Sequence, residues 1–246
     1  MSEATRLGGI HSVRAALEYT PERIIRAWLD QQRHDLRIRE IGQRILAAGI
    51  PLDTVNRKSL DSMLKDRNHQ GVVIEIRLPA EKGEKDLFEM IETSGSIPFY
   101  LVLDQVQDPY NLGACLRTAD ATGVQGIVVP KDNAAGITPT VCKVASGAAE
   151  FVPVYRVTNL TRTLQQMKQA GLWILGAIGE AGQSAFKTDL SGPLALVIGG
   201  EGHGLRRLTR EQCDLLVSLP MAGKVASLNL SVAAGILLYE AVRQRC

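Results

Sequence analysis

Three short segments in the C-terminal part of the 246-residue chain hold the residues whose types and spacing could do chemistry. In the first, Leu103 to Asp120, an Asp108-Pro109 turn precedes Asn111, whose side-chain amide is placed to cap the free N–H groups of a following helix. Arg117 falls six residues beyond Asn111, less than two helical turns. Its guanidinium reaches the same loop mouth only if the side chain runs back toward the helix start; otherwise it is a surface arginine paired with Asp120. In the second, Leu196 to Leu205, the glycines at 199, 200, 202 and 204 follow an apolar run, and they let main chain approach a ligand or another segment without a Cβ in the way. Glu201 among them is either an ionised anchor or a solvated carboxylate, and His203 reads as a turn residue. In the third, Leu219 to Glu240, a Pro/Gly loop leads to Ser227 and Asn229 and then to a helix whose Ala233, Ala234 and Gly235 allow another helix close approach. An ordinary terminal core helix explains residues 230–245. It does not explain why Met221 to Asn229 is rich in turn formers yet keeps Leu219, Met221, Val225 and Leu228 in and beside it.

Positioning these segments requires regular structure before each. Phe99–Leu103, Gly126–Val129, Phe151–Tyr155, Leu172–Ala177, Leu194–Ile198 and Leu215–Leu219 are short apolar or β-branched runs, the pattern of strands covered on both faces. Helical patterns at Asn111–Thr122 and Leu160–Ala170 lie between them, closed by Gly123 and Gly171. Alternation of this kind predicts an α/β fold with a mainly parallel sheet. Ligands in such sheets sit beyond the carboxyl ends of strands, so the loops after Leu103, Ile198 and Leu219 are the expected site.

Upstream, Ser12–Tyr19 and Asp35–Ala48 read as helices and Arg23–Leu29 and Gly71–Ile76 as strands, a small α/β unit over residues 1–77. Residues 78–98 carry Pro79, Gly83, Gly95 and Pro98 among mixed charges and read as a linker with one short helix near Asp86–Ile91. The remaining domain is 99–246.

Composition excludes several classes. A hydrophobic content of 45% supports an ordinary core, while aromatics at 4% rule out a surface built mainly on stacking platforms. A net charge of +2 argues against a polycationic coat but permits a local basic face. The four cysteines show neither C-x-x-C pairing nor zinc-like spacing, so neither a disulfide framework nor a metal site is expected. No apolar run is long enough for a bilayer and Met1 to Ile10 lacks a signal-like core, so a cytoplasmic protein with no membrane contact is expected. A nicotinamide site would need G-x-G-x-x-G, and counting from Gly200 and Gly202 puts Leu205 at the last position.

Taken in order, the three segments resemble the motifs of the SpoU/TrmH branch of the SPOUT methyltransferases: D-x-x-x-D-P-x-N-L-G-A-x-x-R-T-A, then G-x-E-G-x-G-L, then P-M-x-G-x-V-x-S-L-N-x-S-V-A. The resemblance spans about residues 99–245. Gly9-Ile10-His11-Ser12-Val13 and His69-Gln70-Gly71 also look like the N-terminal unit of rRNA-acting members, which is similar to ribosomal protein L30e. The resemblance implies a deep trefoil knot in the parallel sheet, a homodimer, S-adenosylmethionine as cofactor, and 2′-O-methylation of a guanosine ribose in 23S rRNA or its assembly intermediate. It further implies that main chain at Gly199, Gly200, Leu219, Met221 and Leu228 cradles the cofactor. Arg117 would then clamp phosphate and stabilise the developing alkoxide, since a guanidinium keeps its proton to above about pH 12. Glu201 would orient Arg117 or accept the proton, and Asn111, Ser227 and Asn229 would hold the loops or the ribose. The alternatives are the same chemistry on tRNA or another rRNA nucleotide, and a non-catalytic RNA-binding assembly factor.

Overall fold

The computed structural model describes residues 4–64, 68–225 and 227–246. By its contacts the chain divides into two units, Met1–Ala80 with Ile137–Phe151, and Glu81–Gly136 with Val152–Cys246. The first begins with β1 (Ala4–Gly8), α1 (Ile10–Tyr19), β2 (Ile24–Asp30), α2 (Leu36–Ala47), β3 (Leu52–Val55), α3 (Arg57–Met63) and β4 (Val72–Arg77). Its sheet runs β1-β4-β2-β3, with only the β2–β3 pair parallel. β1, β3 and α3 were absent from the sequence reading. β1 is a short edge strand and β3 carries Asp53 and Thr54 without an apolar run.

In the second unit, α4 (Glu84–Thr93) fills much of the stretch read as linker. Its charged start is held by Asp86 Oδ2, which accepts from Gly83 N at 2.7 Å, while Leu87 and Ile91 are buried. Then follow β5 (Phe99–Asp104), α5 (Pro109–Ala121) and β6 (Gly126–Pro130). The next helix, α6 (Pro139–Ala145), counts with the first unit, where Glu150 just beyond it meets Arg23 at 2.6 Å. The chain re-enters the second unit with β7 (Val154–Val157), α7 (Leu160–Gln169), β8 (Trp173–Ala177), β9 (Leu194–Gly199), α8 (Arg207–Gln212), β10 (Leu215–Val217) and α9 (Leu230–Arg245). The strand expected from Phe151 starts instead at Val154, because Ala148–Glu150 forms a 3-10 turn and Pro153 precedes the ladder. The expected Leu215–Leu219 strand stops at Val217, with a lone bridge from Ser218 to Ser184.

The sheet order is β10-β8-β9-β5-β6-β7, and every neighbouring pair is parallel. All six residues of β5 and all five of β6 are buried, as strands covered by helices on both faces must be. From β5 the chain steps outward to β6 and β7, then returns to the other side for β8, β9 and β10. The direction of winding therefore reverses between β5 and β9, where the open ends of a parallel sheet leave a crevice. Register sets the loops side by side: Asp104 pairs with Gly199, Ile198 with Ala177, and Ala177 with Val217.

Candidate active site

Three neighbouring strand ends, those of β10, β8 and β9, place three loops around one cavity of about 670 Å³, and the loop after β5, also expected at the site, does not line it. The walls are Ala177–Glu180, Ile198–Leu205, Leu219, Met221 and Ser227–Leu230, with Arg210 also in the lining. Of the sequence-derived candidates, Gly199, Gly200, Glu201, Leu219, Met221, Ser227, Leu228 and Asn229 all line it. The loop after β8 was missed. Its signal was available, since Gly179 follows a parallel strand and that strand's carboxyl end is as eligible as the other three.

Asn111 does not cap α5, contrary to expectation. Asp108 takes that position, accepting from Tyr110 N at 3.0 Å, and Pro109 fills the first helical position where its missing N–H costs nothing. Asn111, freed from the cap and 5% exposed, instead donates from Nδ2 to Glu201 Oε1 at 2.8 Å. Asn229 donates from Nδ2 to the same Oε1 at 3.0 Å and to Asn111 Oδ1 at 3.0 Å. Asn229 Oδ1 meanwhile caps α9, accepting from Ser231 N at 2.9 Å and Ser231 Oγ at 2.6 Å. One carboxylate oxygen of Glu201 is thus fixed by two amides drawn from the other two motifs. The other, Oε2, has no hydrogen-bond partner among the described residues and is left to act on a ligand.

The glycines at 199 and 200 serve chain against chain. A Cβ on Gly199 would lie 2.0 Å from the carbonyl carbon of Gly204, and one on Gly200 would lie 2.6 Å from the carbonyl oxygen of Gln105. The loop folds back over its own start, closed by Gly204 N donating to Gly200 O at 3.1 Å.

Arg117 does not line the cavity. It is exposed on α5, and among the described residues it makes neither a hydrogen bond nor the alternative pairing with Asp120. Val225 is 71% exposed, whereas Met221 and Leu228 sit at the cavity wall. These apolar residues of the third loop are therefore not packed into the core. The small residues of α9 do face a helix, since Gly235 packs toward Thr118 of α5. No thiol is a candidate nucleophile here: burial pushes Cys115, Cys142 and Cys213 up to about 12. Among the described residues no group of His, Cys, Asp and Glu could hold a metal ion, and no helix is long and apolar enough to cross a membrane.

Residues 98–239 match the SpoU rRNA Methylase family, and residues 6–81 match the RNA 2′-O ribose methyltransferase substrate-binding family. The chain belongs to the SpoU methylase family. Among its SpoU relatives, the 23S rRNA (guanosine-2′-O-)-methyltransferase RlmB of Shewanella oneidensis is 52% identical over 237 residues, 96% of each chain. RlmB of Pseudomonas aeruginosa is 50% identical over 247 residues, covering 100% of this chain and 98% of its own. The crystal structure of the SpoU methyltransferase AviRb from Streptomyces viridochromogenes in complex with AdoMet superposes with a TM-score of 0.78 at 26% identity, over 98% of this chain and 90% of that one. The α/β SpoU fold, a parallel sheet with a smaller N-terminal α/β region, is therefore as the motifs implied.

Proposed function

We propose that this protein transfers a methyl group from S-adenosylmethionine to the ribose 2′-oxygen of a guanosine in 23S rRNA. The observation that carries the reading is that two family motifs line one strand-end cavity and the third reaches it through Asn111, so that Glu201 is held by Asn111 and Asn229 with one oxygen free. The cavity suits the donor. Its volume falls within the range of about 300–1,000 Å³ typical of small-molecule sites. Ile198, Leu219, Leu228 and Leu237 offer an apolar bed for adenine, and the carboxylates of Glu180 and Glu201 complement a cationic sulfonium. Main chain at Gly199, Gly200, Leu219, Met221 and Leu228 would hold the donor, which supplies an electrophilic methyl group.

Attack by the 2′-hydroxyl forms an O–CH₃ bond, breaks the C–S bond and releases one proton, which Glu201 Oε2 accepts. Asn111 and Asn229 fix that carboxylate, Ser227 hydrogen-bonds the ribose, and Arg117 binds a phosphate of the substrate and stabilises charge on the attacking oxygen. The reading extends to domain use. Residues 1–77 grip the RNA, 78–98 join the units and 99–246 perform transfer in the cytoplasm. It also extends to a homodimer and to a deep trefoil knot with the C-terminal segment threaded. Val232, Ile236 and Tyr239 support the dimer, because they form an exposed apolar stripe at i, i+4 and i+7 on α9.

Mapping 2′-O-methyl sites on total rRNA with and without the protein tests the function. Loss of one guanosine mark in 23S rRNA is expected. A mark lost from tRNA or 16S rRNA would redirect the substrate assignment, and unchanged maps with intact donor binding would mean an assembly factor without transfer.

A further inference from the structure

Beneath the Glu201 loop lies a contact, built on the first residue of the first motif, that the donor cavity does not account for. Asp104, the last residue of β5, is 0% exposed. Its Oδ1 accepts from Arg206 Nε at 2.7 Å and Nη2 at 2.6 Å, and its Oδ2 accepts from the Arg206 main-chain N–H at 3.1 Å. Its carbonyl accepts from Gly200 N at 2.8 Å, carrying the β5–β9 ladder past the end of β9. Arg206 is where the glycine loop ends and α8 begins. One buried carboxylate therefore ties down the far end of the loop by its side chain while the same residue's main chain ties down the near end. Gln105, immediately after it, sits at φ 64, a left-handed conformation unusual for a side-chain-bearing residue, with its carbonyl packed beneath Gly200. Neither Asp104 nor Arg206 lines the cavity.

We propose that Asp104 and Arg206 are positioning residues, a strap that holds residues 200–205 folded over so that the loop wall and Glu201 stand ready for the donor. The proposal rests on the methyl-transfer reading given above. Its physical basis is the pairing geometry: two guanidinium nitrogens, Nε and Nη2, converge on the one Oδ1 and fix direction, where an ammonium gives a point charge. Arg206 is 43% exposed, so removing its side chain opens no core, yet it leaves a buried carboxylate with one main-chain donor. Without the guanidinium, the far end of the loop keeps only the Arg206 main-chain bond to Asp104 Oδ2, and donor binding must then complete its ordering.

The test is calorimetric binding of S-adenosylhomocysteine to the full chain, wild type against Arg206→Ala, Arg206→Lys, Asp104→Asn and the double variant Asp104→Asn with Arg206→Ala, each at a temperature well below its melting point. Wild-type binding checks the methyl-transfer reading by itself; its absence sinks that reading whatever the variants do. With wild type binding, affinity is expected to fall at least tenfold in Arg206→Ala, to be partly restored by Lys, and to fall no further in the double variant. Arg206→Ala binding within twofold of wild type while folded would overturn the strap, as would losses that multiply in the double variant. Should Asp104→Asn fail to fold, the Arg206 Ala and Lys pair decides alone.

Discussion

Asn229 has two duties that one pair of substitutions separates. Its Oδ1 caps α9 through Ser231 N at 2.9 Å, while its Nδ2 donates to Glu201 and Asn111, each at 3.0 Å. Asn229→Ala removes both. Loss of an N-cap costs about 1 kcal/mol, which lowers the melting temperature of a chain this long by roughly 2–4 °C. Removing one of two donors that orient the working carboxylate should lower turnover about 100-fold, the effect of losing one oriented donor in other active sites. Asn229→Asp keeps the cap acceptor, and a negative charge favours a helix N-terminus by about 0.3–1 kcal/mol. It also sets a second carboxylate about 3 Å from Glu201, with the repulsion kept to about 1–2 kcal/mol because both groups are solvent-exposed. The repulsion outweighs the gain by up to about 1–2 kcal/mol at pH 8, so the Asp variant should melt below wild type and near Ala, and be as inactive as Ala. Transfer of tritiated methyl gives the rates. An Asp variant within threefold of wild-type turnover, or an Ala variant losing activity only in proportion to its unfolded fraction, would refute the donor role.

Four further outcomes are expected. Gly199→Ala should abolish donor binding by calorimetry, because its Cβ would stand 2.0 Å from the Gly204 carbonyl carbon and the loop must unfold from over it; retained affinity would mean the loop is not built this way. Arg117→Ala should nearly abolish methyl transfer with donor affinity retained, as its side chain does not line the cavity; equal loss of both rejects the phosphate and alkoxide role. Tyr100→Phe should leave the melting temperature unchanged or raise it, because the Tyr100 hydroxyl is buried without a hydrogen-bond partner among the described residues and deleting it relieves a desolvated group; a lower value counts against that account. Iodoacetamide on native protein at pH 8 should alkylate Cys246 and spare Cys115, Cys142 and Cys213, whose thiols burial pushes up to about 12, as peptide mass spectrometry would read directly.

The parallel sheet was legible because its strands are buried on both faces, and such strands are uninterrupted apolar runs bounded by turn formers. Edge elements were not. β3 is half-buried and polar at Asp53 and Thr54, and only its pairing with β2 makes it a strand. α6 could have been read, since Thr138-Pro139 is a helix start in which Thr138 Oγ1 accepts from Val141 N at 3.2 Å. What no local pattern could show is that this helix, numbered inside the methylase part, packs with residues 1–80. Glycine spacing and the Ser227/Asn229 start marked two of the three loops that line the cavity. The misreading of Asn111 shows the limit: an Asn near a helix start is a sound cap candidate, but Asp108 and Pro109 fill that place, and the partner that claims Asn111 is Glu201, ninety residues on.

Those long-range pairings make the site a property of strand register. Asp104 opposes Gly199 because β5 and β9 align from Phe99 with Leu194 onward. A slip of one residue would turn Asp104 to the opposite face of the sheet and separate it from Arg206. Gly199 would also leave the one place where its missing Cβ matters. The amide contacts to Glu201 would go with it, since Asn111 follows β5 and Glu201 follows β9. The cavity wall and the sheet pairing are thus specified by the same residues, and glycines that resemble ligand-binding freedom are committed first to letting the chain cross itself at the β5–β9 junction.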